Sequence, residues 1–135
     1  MPELFIYTDG GSRGNPGRSA IGIVILDKNE KILLEHEEFI GLGTNNQAEY
    51  KAIIKALTLA KRFDGKILHC FLDSELVVKQ LKKEYKVKDE KLIKLNESLK
   101  DLEKDYEKVS YTHVKRGNKY ITISDSLVNK ALDEN

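Results

Sequence analysis

The order of its periodicities constrains this chain more than any other feature. Three apolar runs come first, joined by short polar links, and a helical pattern leading into a fourth apolar run comes next. Leu4 to Thr8 reads as a strand that ends at Asp9, Ser19 to Leu26 as a second and Lys31 to Ile40 as a third, with Asp27-Lys28-Asn29-Glu30 a tight polar hairpin between the last two. Residues 10–17, rich in glycine and closed by Asn15-Pro16-Gly17, form a dense cluster of turn formers, and Gly41-Leu42-Gly43 closes the unit. Strands linked this closely pair antiparallel.

Thr44 and Gln47 then form a capping-box signature, and Tyr50, Ile53, Ile54, Leu57 and Ala60 recur at helical spacing, which predicts a helix to about Phe63. Asp64-Gly65 ends it, and Ile67 to Leu72 is a fourth strand. A strand–helix–strand crossover of this length requires parallel pairing. The rest predicts helices from Ser74 to about Tyr85 and from Asp89 to Tyr106, a strand from Val109 to Lys115, and a C-terminal helix through Leu127, Val128, Ala131 and Leu132. The fold class is therefore α/β, in the order βββαβααβα. Three antiparallel strands and then two parallel ones make a mixed five-stranded sheet with helices on both faces. At 135 residues, without repeat or linker, one domain spanning 1–135 is expected.

Four acidic residues stand where such a sheet places its sites. Asp9 and Asp73 end two strands predicted to be neighbours, Glu49 lies in the first turn of the first helix, and Asp125 lies near the start of the last. Carboxylates gathered at one edge repel one another unless divalent cations neutralise them, and an all-oxygen donor set suits Mg2+. The pattern points to metal-dependent phosphoryl chemistry.

The balance of charge, formally +1, does not describe a basic protein that coats nucleic acid. No apolar run approaches a membrane span, and Met1-Pro2-Glu3 shows no basic region ahead of an apolar stretch. Cys70 is the only cysteine and sits within an apolar strand, where it packs as a small hydrophobe. A cytoplasmic protein without membrane partners is expected. His36, His69 and His113 fall in predicted strands and read as structural, and the leucines from Leu92 to Leu102 read as core.

Tyr7-Thr8-Asp9-Gly10-Gly11-Ser12 followed by Gly14-Asn15-Pro16-Gly17 resembles the opening of type 1 ribonuclease H. Thr44-Asn45-Asn46-Gln47-Ala48-Glu49-Tyr50 resembles that family's helix start, Asp73-Ser74 its third motif, and Ser124-Asp125-Ser126-Leu127-Val128 its last. Four motifs in the right order cover essentially the whole chain. The resemblance implies a ribonuclease H-like fold and a monomer that hydrolyses the RNA strand of RNA/DNA hybrids with two Mg2+ ions, Mn2+ being a substitute. Products would carry 5′-phosphate and 3′-hydroxyl ends. It further implies that Asp9 bridges both metals, that Asp125 completes the site activating the attacking water, and that Glu49 and Asp73 serve the metal at the leaving oxygen. Two ions roughly 3.5–4 Å apart clamp both oxygens of an in-line displacement. Gly10, Gly11 and Ser12 resemble the loop that lies against the RNA strand. Asn15, Asn45 and Ser74 would read the 2′-hydroxyl in the minor groove, while Thr44 and Asn45 resemble a clamp on a DNA phosphate.

The chain departs from the family pattern in two places. Many members carry a histidine in a loop before the last aspartate, where this sequence has Lys115-Arg116-Gly117-Asn118-Lys119. Arg116 and Lys119 are the auxiliary candidates there, acting electrostatically because neither is a good general base at neutral pH. Asn118 also precedes Asp125 by seven positions, a longer interval than the family's usual one. The basic protrusion of some members is missing, with only Lys82, Lys83, Lys86 and Lys88 in its place. Two alternatives remain open on the sequence: a nuclease preferring another duplex, such as double-stranded RNA or a hybrid junction, and a hybrid-binding module with impaired catalysis.

Overall fold

The computed structural model describes residues 2–135. Its strands are β1 (Glu3–Arg13), β2 (Gly17–Leu26), β3 (Ile32–Gly43), β4 (Ile67–Leu72) and β5 (Lys108–His113). Its helices are α1 (Asn45–Leu59), α2 (Glu75–Leu81), α3 (Glu90–Glu103) and α4 (Lys119–Asp133), with a short 3-10 turn at Ala60–Phe63 after α1. The five strands form one sheet in the order β3-β2-β1-β4-β5. β1 pairs antiparallel with β2 and β2 with β3, whereas β1 with β4 and β4 with β5 are parallel. The expected mixed sheet and element order are found.

β2 explains how the sheet is covered. Ile21, Ile23 and Ile25 face the core shared with Tyr50, Ile53 and Leu57 of α1, while Ala20, Val24 and Leu26 face α4 through Val128, Ala131 and Tyr120. A strand buried on both faces reads as a continuous apolar run, as β2 does. Helices therefore lie on both faces. α3 adds Leu92 and Leu99 to the α1 side, where buried Cys70 also packs. Among the described residues, no helix is long and apolar enough to cross a membrane.

Several boundaries differ from expectation. β1 does not end at Asp9 but continues to Arg13, because Gly10 to Arg13 pair with Ile21 to Arg18. The turn contracts to residues 14–16, with a cis Asn15–Pro16 peptide and Gly14 at φ 90. Gly41 to Gly43 likewise stay in β3, paired with Ser19 to Gly17. What ends at Tyr7↔Phe71 is the β1–β4 pairing, so Asp9 and Asp73 each lie two residues beyond the last parallel pair. α2 stops at Leu81 rather than near Tyr85, with Lys83 in a left-handed conformation at φ 64. α3 ends at Glu103 rather than Tyr106, and β5 at His113 rather than Lys115. α4 begins at Lys119, so Asp125 lies in its second turn rather than at its opening. Asn118 is the N-cap and accepts hydrogen bonds from the amides of Tyr120 and Ile121 at 3.0 and 3.2 Å. The long interval before Asp125 is thus extra helix.

Candidate active site

The site lies where the β1–β4 ladder opens and helices reach in from both faces. α1 starts at the N-cap Thr44, whose hydroxyl accepts from the Gln47 amide at 3.1 Å while the Gln47 side chain accepts from the Thr44 amide. This box fixes the first turn, and Glu49 follows from it. A Cβ on Gly10 would stand 2.6 Å from the Glu49 amide nitrogen and closer still to the Ala48 carbonyl group, so only glycine lets β1 come this near α1. The Gly10 amide then donates to the Glu49 carboxylate at 2.7 Å.

Gly22 does the same for the opposite face. It is the partner of Asp9 across the β1–β2 ladder, and the backbone of Ser124 fills the space its side chain would need. Ser124, fully buried, donates its hydroxyl to the Tyr7 carbonyl at 2.9 Å and so ties α4 to β1. Asp125 follows directly and lies near enough to Asp9 to raise its pKa.

Asp9, Glu49 and Asp73 bring carboxylate oxygens within 4.8 Å of one another. Asp9 is 8% and Glu49 6% exposed, so both charges are shut away from water. Burial, then the charge of Asp73, then the hydrogen bond and charge of Asp125 raise the Asp9 pKa from 3.8 to about 8. Glu49 is raised well above its ordinary value, first by burial and then by Asp9 and Asp73, against the pull of the Gly10 amide and Arg116. Arg116 lies on the rim, its Nε 3.8 Å from Asp73 and its side chain 89% exposed, too solvated to neutralise the cluster. Hard oxygen donors, crowded, buried and short of compensating charge, fit a divalent cation.

All four acids line one open cleft of about 450 Å³, together with Gly10, Gly11, Ser12, Asn45, Ser74 and Arg116. Asn15 and Thr44 line a second hollow that shares Asn45. Asn45 is the hinge of this surface: its Oδ1 accepts from the Ser12 amide at 2.8 Å, and its own amide donates to Asn15 Oδ1 at 3.0 Å. Ser74 caps α2, its hydroxyl accepting from the Val77 amide at 3.3 Å. Lys119 is not brought to the acids; its ammonium lies 5.3 Å over the Tyr120 ring. Sequence reasoning overlooked Arg13 and Asn129, which also line the cleft. Asn129 stands one helical turn after Asp125, a spacing visible in the sequence, and donates to it at 3.5 Å. Arg13 is held by an ion pair to Asp133 at 2.6 Å, for which the sequence carries no local signal. His36 and His69 pair with Glu38 and Glu3, and neither they nor His113 line the cleft.

A family model described as reverse transcriptase-like matches residues 7–131. Ribonuclease HI of Halobacterium salinarum is 39% identical over 132 residues, which is 98% of this chain and 65% of that protein. The crystal structure of RNase H1 from the same archaeon superposes with a TM-score of 0.94 at 38% identity, covering 98% of this chain and 99% of the other. LC11-RNase H1, isolated from compost and crystallised with an RNA/DNA hybrid, gives a TM-score of 0.91 at 35% identity over 97% of both chains. The chain spans 36–65% of the length of the curated relatives that match it almost end to end.

Proposed function

The chain belongs to the type 1 ribonuclease H family, and on that premise we propose that it is an endoribonuclease cutting the RNA strand of RNA/DNA hybrids to 5′-phosphate and 3′-hydroxyl ends. The observation that carries this reading is the meeting of four carboxylates from β1, α1, the end of β4 and α4 in one cleft with no adequate counter-charge. In it Asp9 and Asp125 would hold the ion that activates the attacking water, and Asp9, Glu49 and Asp73 the ion that serves the leaving oxygen. Two Mg2+ ions, replaceable by Mn2+, would supply a water of lowered pKa and Lewis-acid stabilisation of the leaving oxygen.

The remaining residues position the hybrid. The backbone of Gly10, Gly11 and Ser12 offers close approach to the RNA strand, since little projects from it. Asn45 engages its Oδ1 with Ser12, which leaves its NH2 group to meet a 2′-hydroxyl; Asn15 and Ser74 flank that path. Thr44 and Asn45 present the α1 N-terminus to a phosphate of the DNA strand. Arg116 supplies positive charge at the rim. One sheet gathering residues 3–113 with helices to 133 supports a single domain over 1–135. A cytoplasmic monomer completes the reading and rests on the family alone.

The test is cleavage of an end-labelled RNA/DNA hybrid with Mg2+, beside double-stranded RNA, DNA duplex and single-stranded RNA, repeated with Asp125→Asn. Cutting of the hybrid's RNA strand alone, lost in the variant, is expected. Equal cutting of double-stranded RNA would move the substrate class, and cutting that survives the variant would remove Asp125 from the site.

A further inference from the structure

On the face that carries α4, the odd-numbered residues of β1 and β4 form a row of rings. His69 stacks on Phe5 with centroids 4.7 Å apart, Phe5 on Phe71 at 6.4 Å, and Phe71 on Tyr7 at 4.7 Å, all within 18° of parallel. Tyr120 of α4 closes the row against Tyr7 at 5.0 Å. α4 packs over β1, β2 and β3, and the rings of Phe5, Tyr7, His69 and Phe71 are left half-buried beside it. Phe5 and Tyr7 pack against Val24, Leu26 and Tyr120, whereas His69 and Phe71 belong to none of the hydrophobic clusters.

Phe5, Tyr7, Phe71 and Tyr120 line a cleft of about 260 Å³, rimmed by Lys28 and Glu30. That is smaller than the roughly 300–1,000 Å³ of drug-sized sites, room for one planar base and not for a duplex. Two lysines and two acids stand at or beside the rim. Lys28 is exposed, and Lys119 is stationed over the Tyr120 ring. The rim acids are engaged internally: Glu30 accepts from the Tyr120 hydroxyl at 3.0 Å, and Asp27 accepts from the amides of Asn29 and Lys31 at 2.8 and 3.0 Å. The row runs along β1 and β4 towards the acidic cleft, although the two clefts share no lining residue. Tyr7 precedes Asp9 by two residues on one face of β1, about 7 Å of strand, and Phe71 precedes Asp73 by two across the end of β4 at Leu72.

We propose that this aromatic cleft is a stacking site for an unpaired nucleobase, carried by a single-stranded RNA extension that leaves the hybrid beside the carboxylates. The proposal rests on the nuclease reading and extends it to substrates whose hybrid ends in a single-stranded flank. Stacking on a ring is tolerant of base identity, so the site selects for an unpaired flank and not for sequence.

The experiment compares KM for a blunt hybrid and for the same hybrid with a short RNA extension at either end, in the wild type and in Phe5→Leu/Phe71→Leu. Leucines keep the apolar volume and remove the rings. One extension should lower KM about fivefold or more in the wild type, the ratio should return to about one in the variant, and kcat on the blunt hybrid should hold. Equal KM values in the wild type, or a ratio that survives the variant, overturn the proposal. Should the double variant not fold, Lys28→Glu on the exposed rim must reduce the ratio. A 2-aminopurine placed in the extension gives a second readout without cleavage. Quenching that needs the two phenylalanines supports the site even if no hybrid is cut, which would sink only the nuclease reading; no quenching in the wild type sinks this one. Dimerisation that the double variant abolishes would assign the row to a second copy of the chain instead.

Discussion

The backbone of Ser124 occupies the space that a side chain on Gly22 would need, and this contact brings Asp125 to Asp9. Gly22 stands opposite Asp9 in the ladder, so the α4 backbone comes close to the sheet at the residue the acids surround. Ser124 locks the approach through the Tyr7 carbonyl.

Gly22→Ala should therefore push α4 outward. Overpacking of this kind costs about 1–3 kcal/mol. Cleavage should fall further than the lost folded fraction explains, because Asp125 retreats with its helix. Urea unfolding alongside single-turnover cleavage checks this; a variant with full activity and lowered stability would show that Asp125 needs no such close fit.

The Asp9 carboxyl makes the metal-free protein sensitive to pH. Below 3.8 folded and unfolded chains are both protonated at this group, and its contribution to stability is intact. Above 3.8 the unfolded chain releases a proton that the folded chain keeps, so this contribution shrinks as pH rises and is lost through about 8. Asp9→Asn should abolish cleavage yet make the metal-free protein more stable at pH 9, by on the order of a few kcal/mol. Denaturant midpoints at pH 5, 7 and 9 decide; a wild type that gains stability over that range, relative to the variant, would contradict the sign.

Divalent cation should reverse the same penalty. Mg2+ at a hundred times its Kd adds about 2.7 kcal/mol to stability. Binding should release protons and tighten as pH rises towards 8, since the cation displaces the proton held by the raised acids. Calorimetry in buffers of different ionisation enthalpy measures the protons directly, and zero release would mean the acids are already ionised.

Arg116 and Lys119 separate cleanly. Arg116→Ala should change stability by no more than about 0.5 kcal/mol, as an 89% exposed side chain does, but should reduce cleavage because it removes the positive charge beside Asp73. Lys119→Ala should leave blunt-hybrid cleavage intact, its ammonium being over Tyr120 and away from the acids. Parallel kinetics of the two variants test the distinction.

Much of this was legible in residues that act locally. Alternating and helical periodicity located all nine elements, the Thr44–Gln47 box set the start of α1, and the crossover rule made β1 and β4 parallel neighbours. Asp9 and Asp73 at one sheet edge followed from those alone. Glycine-rich residues 10–13 misled, because turn formers also suit a strand when a hairpin partner and a close helix are available.

The order of the elements and the edge where β1 and β4 open were thus readable along the chain, since these depend on the 2.0 and 3.6 residue periods and on short connections. Three outcomes came only with folding: β1 passes Asp9, α4 starts early enough to put Asp125 in its second turn, and Arg116 reaches the acids while Lys119 does not. Those outcomes depend on how closely a helix can approach a sheet. That distance is set by residues far apart in the chain, Gly22 against Ser124 and Gly10 against Ala48, and no local pattern encodes it.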